Sequence, residues 1–99
     1  MANSTLQWEK FIRQTAASSE QVVFTMHALS RMRERHLTRL TVLDVLRKGR
    51  IHRVPEPNAS KGTTECRMEY FVAGRHVGVV AAVAQENPQV IVVTAMEIS

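Results

Sequence analysis

The order of apolar and polar residues changes along the chain, and each change indicates a different kind of element. Within residues 5–17 the apolar side chains recur at near-helical spacing, which predicts an amphipathic helix. They are Leu6, Trp8, Phe11 and Ile12. Residues 22–24 form a short apolar run, which predicts an edge strand or an extended segment leading into the next element.

A second helix is indicated by a capping threonine and by one apolar side. Thr25 is a suitable N-cap, because its hydroxyl can accept a backbone N–H of the first helical turn. Helical geometry then separates an apolar side from a polar side. The apolar side holds Ala28, Leu29 and Met32, and the polar side holds His27, Arg31 and Glu34.

A third helix is predicted from Thr38 as its N-cap to a stop at Gly49. Its buried side holds Val42, Val45 and Leu46. Arg47 and Lys48 suit the negative end of the helix dipole. Gly49 is predicted to end the helix in the left-handed conformation that glycine adopts without strain.

The last third of the chain has a period of two residues instead, which is typical of half-buried strands. Residues 65–72 alternate between apolar and polar side chains, and Gly74 predicts a tight hairpin into a strand at 77–84. Asn87-Pro88 predicts a further turn, and residues 90–96 read as an apolar, central strand. A shorter strand at 51–54 is predicted to end at Pro55 and Pro57, before a flexible loop at 58–63.

Helices followed by an antiparallel meander predict an α+β fold. We expect two or three N-terminal helices packed on a small antiparallel sheet of about four strands, in a single domain over residues 1–99. No apolar run approaches the roughly 18 residues of a membrane span. With no secretory signal recognised and a single cysteine, Cys66, we expect a cytoplasmic protein.

The distribution of charge adds a candidate surface to this fold. Residues 31–53 contain eight cations against only Glu34 and Asp44, a local charge of +6, whereas the whole chain carries +4. The candidates for contact with nucleic-acid phosphates are Arg33, Arg39, Arg47, Lys48, Arg50 and Arg53. The alternative is an ordinary solvated helix face, but such a face usually mixes charges of both signs.

Metal and cofactor sites are not indicated. The histidines His27, His36, His52 and His76 and the single Cys66 show no CxxC and no HxxxH spacing. The four glycines are isolated, so no phosphate-binding glycine loop is present. We therefore expect no metal and no cofactor.

His27 is the strongest candidate for proton transfer. It is placed in the first turn of the second helix, where the positive helix end favours a neutral ring that can accept a proton. Arg31 follows one turn later on the same side and can hold a phosphate near that ring. The alternative is a solvent-facing histidine beside ordinary helix arginines. Thr94, within the last apolar run, is either a hydrogen-bonding strand residue or a side chain projecting at the end of a central strand.

Several of these residues together form a familiar pattern. His27-Ala28-Leu29-x-Arg31-Met32-x-Glu34-Arg35, then Leu37-Thr38, then Val45-Leu46-x-x-Gly49-x-Ile51, resembles the domain-of-unknown-function family 4258. Tyr70-x-Val72-x-Gly74, Val79-Val80 and Val92-Val93-Thr94-Ala95 resemble the hairpin and last strand of that family. The match covers residues 22–97 as a family-like core. It leaves an extra N-terminal helix at 5–17 and places Thr41 where an acidic residue is usual.

The resemblance implies a domain similar to RelE- and BrnT-type toxins and to other small metal-independent ribonucleases. Carried over to this chain, the catalytic candidates are His27, Arg31 and Thr94. In the ribonuclease reading, Arg35 joins Arg31 in stabilising charge on the phosphate, and Thr94 or Tyr70 orients the nucleotide. The implied partners are RNA or another polyanion and an antitoxin protein, with the oligomeric state left open. The alternative is a non-catalytic basic protein from a mobile element that docks on nucleic acid or on an acidic protein. A structural domain of a larger assembly is a third reading.

Overall fold

The computed structural model describes residues 4–84 and 86–98, and over these residues it contains three α-helices and six β-strands. The helices are α1 (Thr5–Ala16), α2 (Met26–Glu34) and α3 (Arg39–Lys48). The strands are β1 (Val22–Phe24), β2 (Arg50–Ile51), β3 (Glu56–Asn58), β4 (Thr63–Val72), β5 (Arg75–Ala84) and β6 (Asn87–Glu97). A 3₁₀ turn at Ser19–Gln21 joins α1 to β1.

All six strands belong to one mixed sheet in the order β1-β6-β5-β4-β2, with β3 also paired to β4. The α+β class is confirmed. The sheet has more strands than the predicted four, and it is not purely antiparallel, because β1 pairs with β6 in parallel. β1 is followed at once by α2, which packs on β6, so both elements lie along the last strand.

The predicted strand at 51–54 is replaced by two shorter ones. Ile51 pairs with Met68 and Glu56 pairs with Glu65, so five steps along this segment match three steps along β4. The two extra residues leave the ladder near Pro55, which has no N–H to donate. Pro57 does not end the pairing, since it lies within β3 at the edge of the sheet. Residues 59–62 form the turn from β3 into β4, within the predicted loop at 58–63.

The N-caps of α2 and α3 are the two threonines that the sequence predicts. The Thr25 hydroxyl accepts the Ala28 N–H at 3.0 Å and donates to the Val92 carbonyl at 3.0 Å, so one side chain both starts α2 and ties it to β6. Thr38 accepts the Thr41 N–H at 3.1 Å at the start of α3. Both N-cap predictions are confirmed.

Gly49 ends α3 as predicted, but the predicted left-handed conformation is wrong. Its φ of −75° and ψ of 179° are those of extended backbone. Glycine is required by close packing instead: a Cβ here would clash with the Val45 carbonyl oxygen and would lie 2.8 Å from the Glu69 oxygen. The end of α3 therefore rests directly on β4.

The two predicted turns of the C-terminal hairpins differ in outcome. Ala73 and Gly74 both have positive φ, 53° and 75°, which is the conformation of a tight two-residue hairpin. Asn87 and Pro88, in contrast, already belong to β6, and Asn87 pairs with Ala84. The predicted turn at Asn87-Pro88 is thus wrong in position: Glu86 is a turn residue, and Gln85 lies outside the described residues.

The apolar core lies between the three helices and one face of the sheet, which we call the covered face. Trp8 and Ile12 of α1, Met32 of α2 and Leu46 of α3 join one cluster with the alternate residues of the strands. The covered face of the three long strands carries Cys66, Met68, Tyr70, Val77, Val79, Ala81, Val83, Val92 and Ala95.

The opposite side of the sheet, which we call the open face, carries the intervening residues. On the three long strands these are Glu65, Arg67, Glu69, Phe71, His76, Gly78, Val80, Thr94 and Met96. Within the described chain, the buried residues of α1, α2 and α3 all pack on the covered side. None of these helices is long and apolar enough to span a membrane.

Helix α1 is an integral part of this core and closes one edge of the sheet. Glu9 is buried, and its carboxylate accepts the Ile51 N–H of the outer strand β2 at 2.9 Å. Arg13 donates from Nε and Nη2 to the Gly49 carbonyl at 2.9 and 2.7 Å. The extra helix therefore satisfies backbone groups at the β2 edge and at the end of α3.

Candidate nucleic-acid interface

The first part of the interface is the polar side of α2. His27 is the second helical residue after the Thr25 cap and is exposed, as predicted. Arg31 lies one turn later, and its guanidinium is 3.0 Å from the Glu34 carboxylate in a solvent-exposed ion pair. Such pairs contribute little to stability, so a phosphate can compete for the guanidinium at small cost. The structure thus places His27 and Arg31 on one accessible helical surface.

Three further exposed arginines lie at the end of α2 and the start of α3. Arg33 and Arg35 are exposed, and Arg35 is the C-cap residue of α2. Arg39 is also exposed, and its guanidinium carbon lies 5.0 Å above the centre of the Phe24 ring. This contact holds the arginine near β1 and leaves its N–H groups available to an anion.

Not every cation of the chain is available in this way. Arg47 donates from Nε to the Ala16 carbonyl at 2.7 Å and from Nη2 to the Ser19 hydroxyl at 2.9 Å. It therefore connects α3 to the end of α1, and two of its three nitrogens are occupied by the chain itself. Arg47, one of the predicted nucleic-acid contacts, thus has a structural role.

Arg75 serves a similar purpose at the end of α2. Its guanidinium donates to the carbonyls of Arg35 at 2.7 Å and His36 at 3.2 Å, and it pairs with Glu97 at 2.9 Å. These bonds satisfy carbonyls that the helix end leaves free. They also bring the C-terminal end of α2 beside the hairpin between β4 and β5.

The second part of the interface is a groove at the β2 edge of the open face. Arg50 pairs with Glu69 in the sheet register, and Arg50, His52 and Arg53 are exposed. The groove is lined by Lys48, Arg50, His52, Glu69, Tyr70, Phe71 and His76. Tyr70, predicted to orient a nucleotide, is partly buried against the core and contributes to this lining.

Thr94 is placed apart from the other catalytic candidates. It pairs with Val80, and the neighbouring pair Ala95 and Val79 lies in the core, so Thr94 belongs to the open face. Its backbone is near the start of α2, because Thr25 binds the carbonyls of Val92 and Val93. The structure therefore groups His27 with Arg31 on α2 and leaves the Thr94 side chain on the other side of the sheet.

Four residues of the groove were not predicted as site residues: His52, Glu69, Phe71 and His76. Phe71 and His76 are cross-strand partners, and Glu69 contacts His76 through its side chain. The pairing of Phe71 with His76 was predictable from the sequence, since a two-residue turn at 73 and 74 fixes these residues opposite each other. The contact with Glu69 is diagonal across the strands and has no such signature.

The single cysteine, Cys66, is buried in the core. Burial raises the pKa of the Cys66 thiol from 9.0 to about 12, so the sulfur stays protonated at neutral pH. Among residues 4–84 and 86–98, no cluster of three or more His, Cys, Asp or Glu side chains is arranged to hold a metal ion.

Comparison with known proteins identifies the family. No curated protein and no solved structure matches the chain. The model of a family described as a domain of unknown function, DUF4258, matches residues 24–97. This range runs from the end of β1 to the end of β6 and leaves α1 outside the match. Because the match covers well over half of the sequence, the chain belongs to the DUF4258 family.

Proposed function

We propose that this protein binds RNA through its exposed cations and cleaves it without a metal, in the manner of small RelE- and BrnT-like toxins. The observation that supports the proposal best is a group of accessible arginines near the exposed His27. Arg33, Arg35 and Arg39 are exposed, and Arg31 is partly exposed, with 43% of its side chain accessible. Cations on one accessible surface attract a phosphate chain and make its binding dependent on salt.

In the proposed reaction, His27 acts as general base on a ribose 2′-hydroxyl. The 2′-oxygen attacks the adjacent phosphorus, the bond to the 5′-oxygen breaks, and that oxygen leaves with a proton from the imidazolium or from water. Arg31 and Arg35 stabilise the charge that develops on the phosphate oxygens. The products are a 2′,3′-cyclic phosphate and a 5′-hydroxyl.

Partners and location belong to the same proposal. A toxin-like ribonuclease acts on cytoplasmic RNA and needs an antitoxin protein that covers its basic surface until it is released. Exposed arginines suit an acidic partner of this kind as well as they suit RNA.

A second candidate function is a non-catalytic binding module for nucleic acid or for an acidic protein. It is favoured by the position of Thr94, whose side chain lies on the open face and away from His27 and Arg31. A surface with one histidine and several arginines is sufficient for binding, whereas cleavage also needs a group that protonates the leaving oxygen.

Cleavage of a long RNA in excess chelator separates the two functions. We expect His27→Ala to slow cleavage by about 10²–10⁴-fold, the usual contribution of a general acid or base, with RNA affinity and melting temperature nearly unchanged. His36→Asn is the matched control, because His36 is also exposed and asparagine tolerates its φ of 57°.

Equal cleavage by the wild type and His27→Ala would remove His27 from the mechanism. A wild type that forms a saturable RNA complex but releases no product would establish the binding module in place of the ribonuclease.

A further inference from the structure

A nearly buried carboxylate lies on the open face, where a charged side chain would ordinarily be solvated. Glu69 is 7% exposed. Its Oε2 accepts from Arg67, with Nε at 3.1 Å and Nη2 at 3.0 Å, and its Oε1 is 3.1 Å from His76 Nε2. Both carboxylate oxygens are therefore occupied, and a permanent guanidinium charge already balances the carboxylate.

This carboxylate fixes the position of the His76 ring. With Nε2–H directed at Glu69, the polar atom left for other partners is Nδ1, which accepts a hydrogen bond when the ring is neutral. Phe71 holds the ring from its flat side, with centroids 4.7 Å apart and an interplanar angle of 10°. A histidine held by a carboxylate and by a stacked aromatic ring is well positioned to contact a ligand.

The surroundings of this ring have the composition of a nucleotide site. Phe71 is 69% exposed although it is large and apolar, so most of its surface is not used by the fold. The same groove is lined by Lys48, Arg50 and His52, three residues that can donate to phosphate oxygens. An exposed aromatic ring beside cations is the arrangement by which proteins hold unpaired bases and their backbone.

We propose that this groove binds one nucleotide of single-stranded RNA. The base stacks on Phe71, the phosphate contacts Lys48 and Arg50, and Nδ1 of His76 accepts a hydrogen bond from the ribose 2′-hydroxyl. The strand must be single, because a base paired within a helix cannot leave its stack to reach Phe71. This inference rests on the proposed function, which supplies RNA as the polymer. It adds that the RNA is single-stranded.

An acidic peptide is the competing ligand, and the observations favour RNA over it. Carboxylates of a peptide would use Lys48 and Arg50 but would gain nothing from a stacked, exposed aromatic ring. A nucleotide uses both features at once. Arg75 joins the carbonyls of Arg35 and His36, at the end of α2, to the hairpin that carries Phe71 and His76.

The test compares binding of a short fluorescent single-stranded RNA with binding of the matching RNA duplex. We expect Phe71→Leu to weaken the single-stranded complex by roughly tenfold, the scale of one lost stacked base, and to leave the duplex complex unchanged. Arg50→Gln should weaken both. Leu40→Ala is the control, since Leu40 is also exposed, at 66%, but lies on α3 away from the groove. Thermal melts should show all variants folded.

Nuclear magnetic resonance with adenosine monophosphate gives a second readout that does not depend on RNA cleavage. We expect the ring signals of Phe71 and His76 to shift on titration.

RNA affinity that falls in Arg33→Ala but not in Phe71→Leu, with no shift of these rings, would overturn the groove and leave the proposed function standing. Ring shifts and a weakened Phe71→Leu complex, in a wild type that cleaves nothing, would keep the groove and remove the ribonuclease. Tight binding of polyglutamate that Phe71→Leu does not alter, with no ring shift by the nucleotide, would replace the nucleotide with an acidic peptide.

Discussion

The two faces of the sheet are built from the same strands but differ in what their side chains do. On the covered face, Val77, Val79 and Ala81 of β5 are completely buried under the helices. On the open face of the same hairpin, Phe71 and His76 are stacked together and remain partly or largely accessible. One face therefore holds the apolar core, and the other carries polar and aromatic groups that lie outside this core.

The arginines show the same division. Arg13 and Arg75 donate to carbonyls at the ends of α3 and α2, and Arg47 joins α3 to α1. Arg33 and Arg39, in contrast, are exposed on the helical layer. Positive charge in the sequence is thus a poor guide to binding by itself, because part of it serves the helix ends.

The largest expected effect is on the covered side. Ile12→Asp and Leu46→Asp each place a carboxylate at a completely buried position, and we expect each to cost several kcal/mol or to prevent folding. The measurement is the free energy of unfolding from urea titration.

Each of these variants has a control on the same helix. Leu6→Asp on α1 and Leu40→Asp on α3 replace leucines that are 71% and 66% exposed, so their stability should stay within about 0.5 kcal/mol of the wild type. Controls as damaging as the core variants would show that the two helices present other sides to the sheet.

A smaller effect is expected from the thiol beneath the helices. The pKa of Cys66 is raised from 9.0 to about 12 by burial, so the folded state keeps a proton that the unfolded chain loses above pH 9. The protonated thiol therefore contributes fully to stability below pH 9, and this contribution decreases as the pH rises toward 12. Each pH unit in this range shifts the unfolding equilibrium by at most a factor of about ten.

The comparison with Cys66→Ala isolates this effect, because all other groups titrate in both proteins. Raising the pH from 8 to 10.5 should lower the urea midpoint of the wild type relative to that of Cys66→Ala. A difference that stays constant over this range would mean that the thiol is open to solvent.

The sequence predicted well what depends on local spacing. The caps at Thr25 and Thr38 and the buried side of α3 follow from hydrogen-bonding capacity and from the helical period. The hairpin at Gly74 follows from the need for positive φ in a two-residue turn. These features involve residues a few positions apart, where the chemistry of the chain leaves few alternatives.

The features that the sequence did not predict depend on contacts between distant segments. The parallel pairing of Val22 with Val90 and the extended Gly49 against Glu69 are decided by packing. The structural role of Arg47 likewise depends on a carbonyl 31 residues away. At the candidate site, the position of His27 was predictable from its cap, whereas the Glu69–His76 pair required the register of two strands.

The salt dependence of RNA binding shows whether the exposed cations of this protein contact RNA phosphates. The measurement is the affinity of wild type, Arg33→Ala and Lys10→Ala for one single-stranded RNA over a series of salt concentrations. Lys10 is the matched control, because it is exposed and cationic but lies on α1, outside the basic segment. We expect the wild-type affinity to fall steeply with salt, Arg33→Ala to lower the slope by about 0.7, and Lys10→Ala to leave the slope unchanged. An affinity that does not change between low and moderate salt, or an equal effect of the two substitutions, would show that these cations do not contact the RNA.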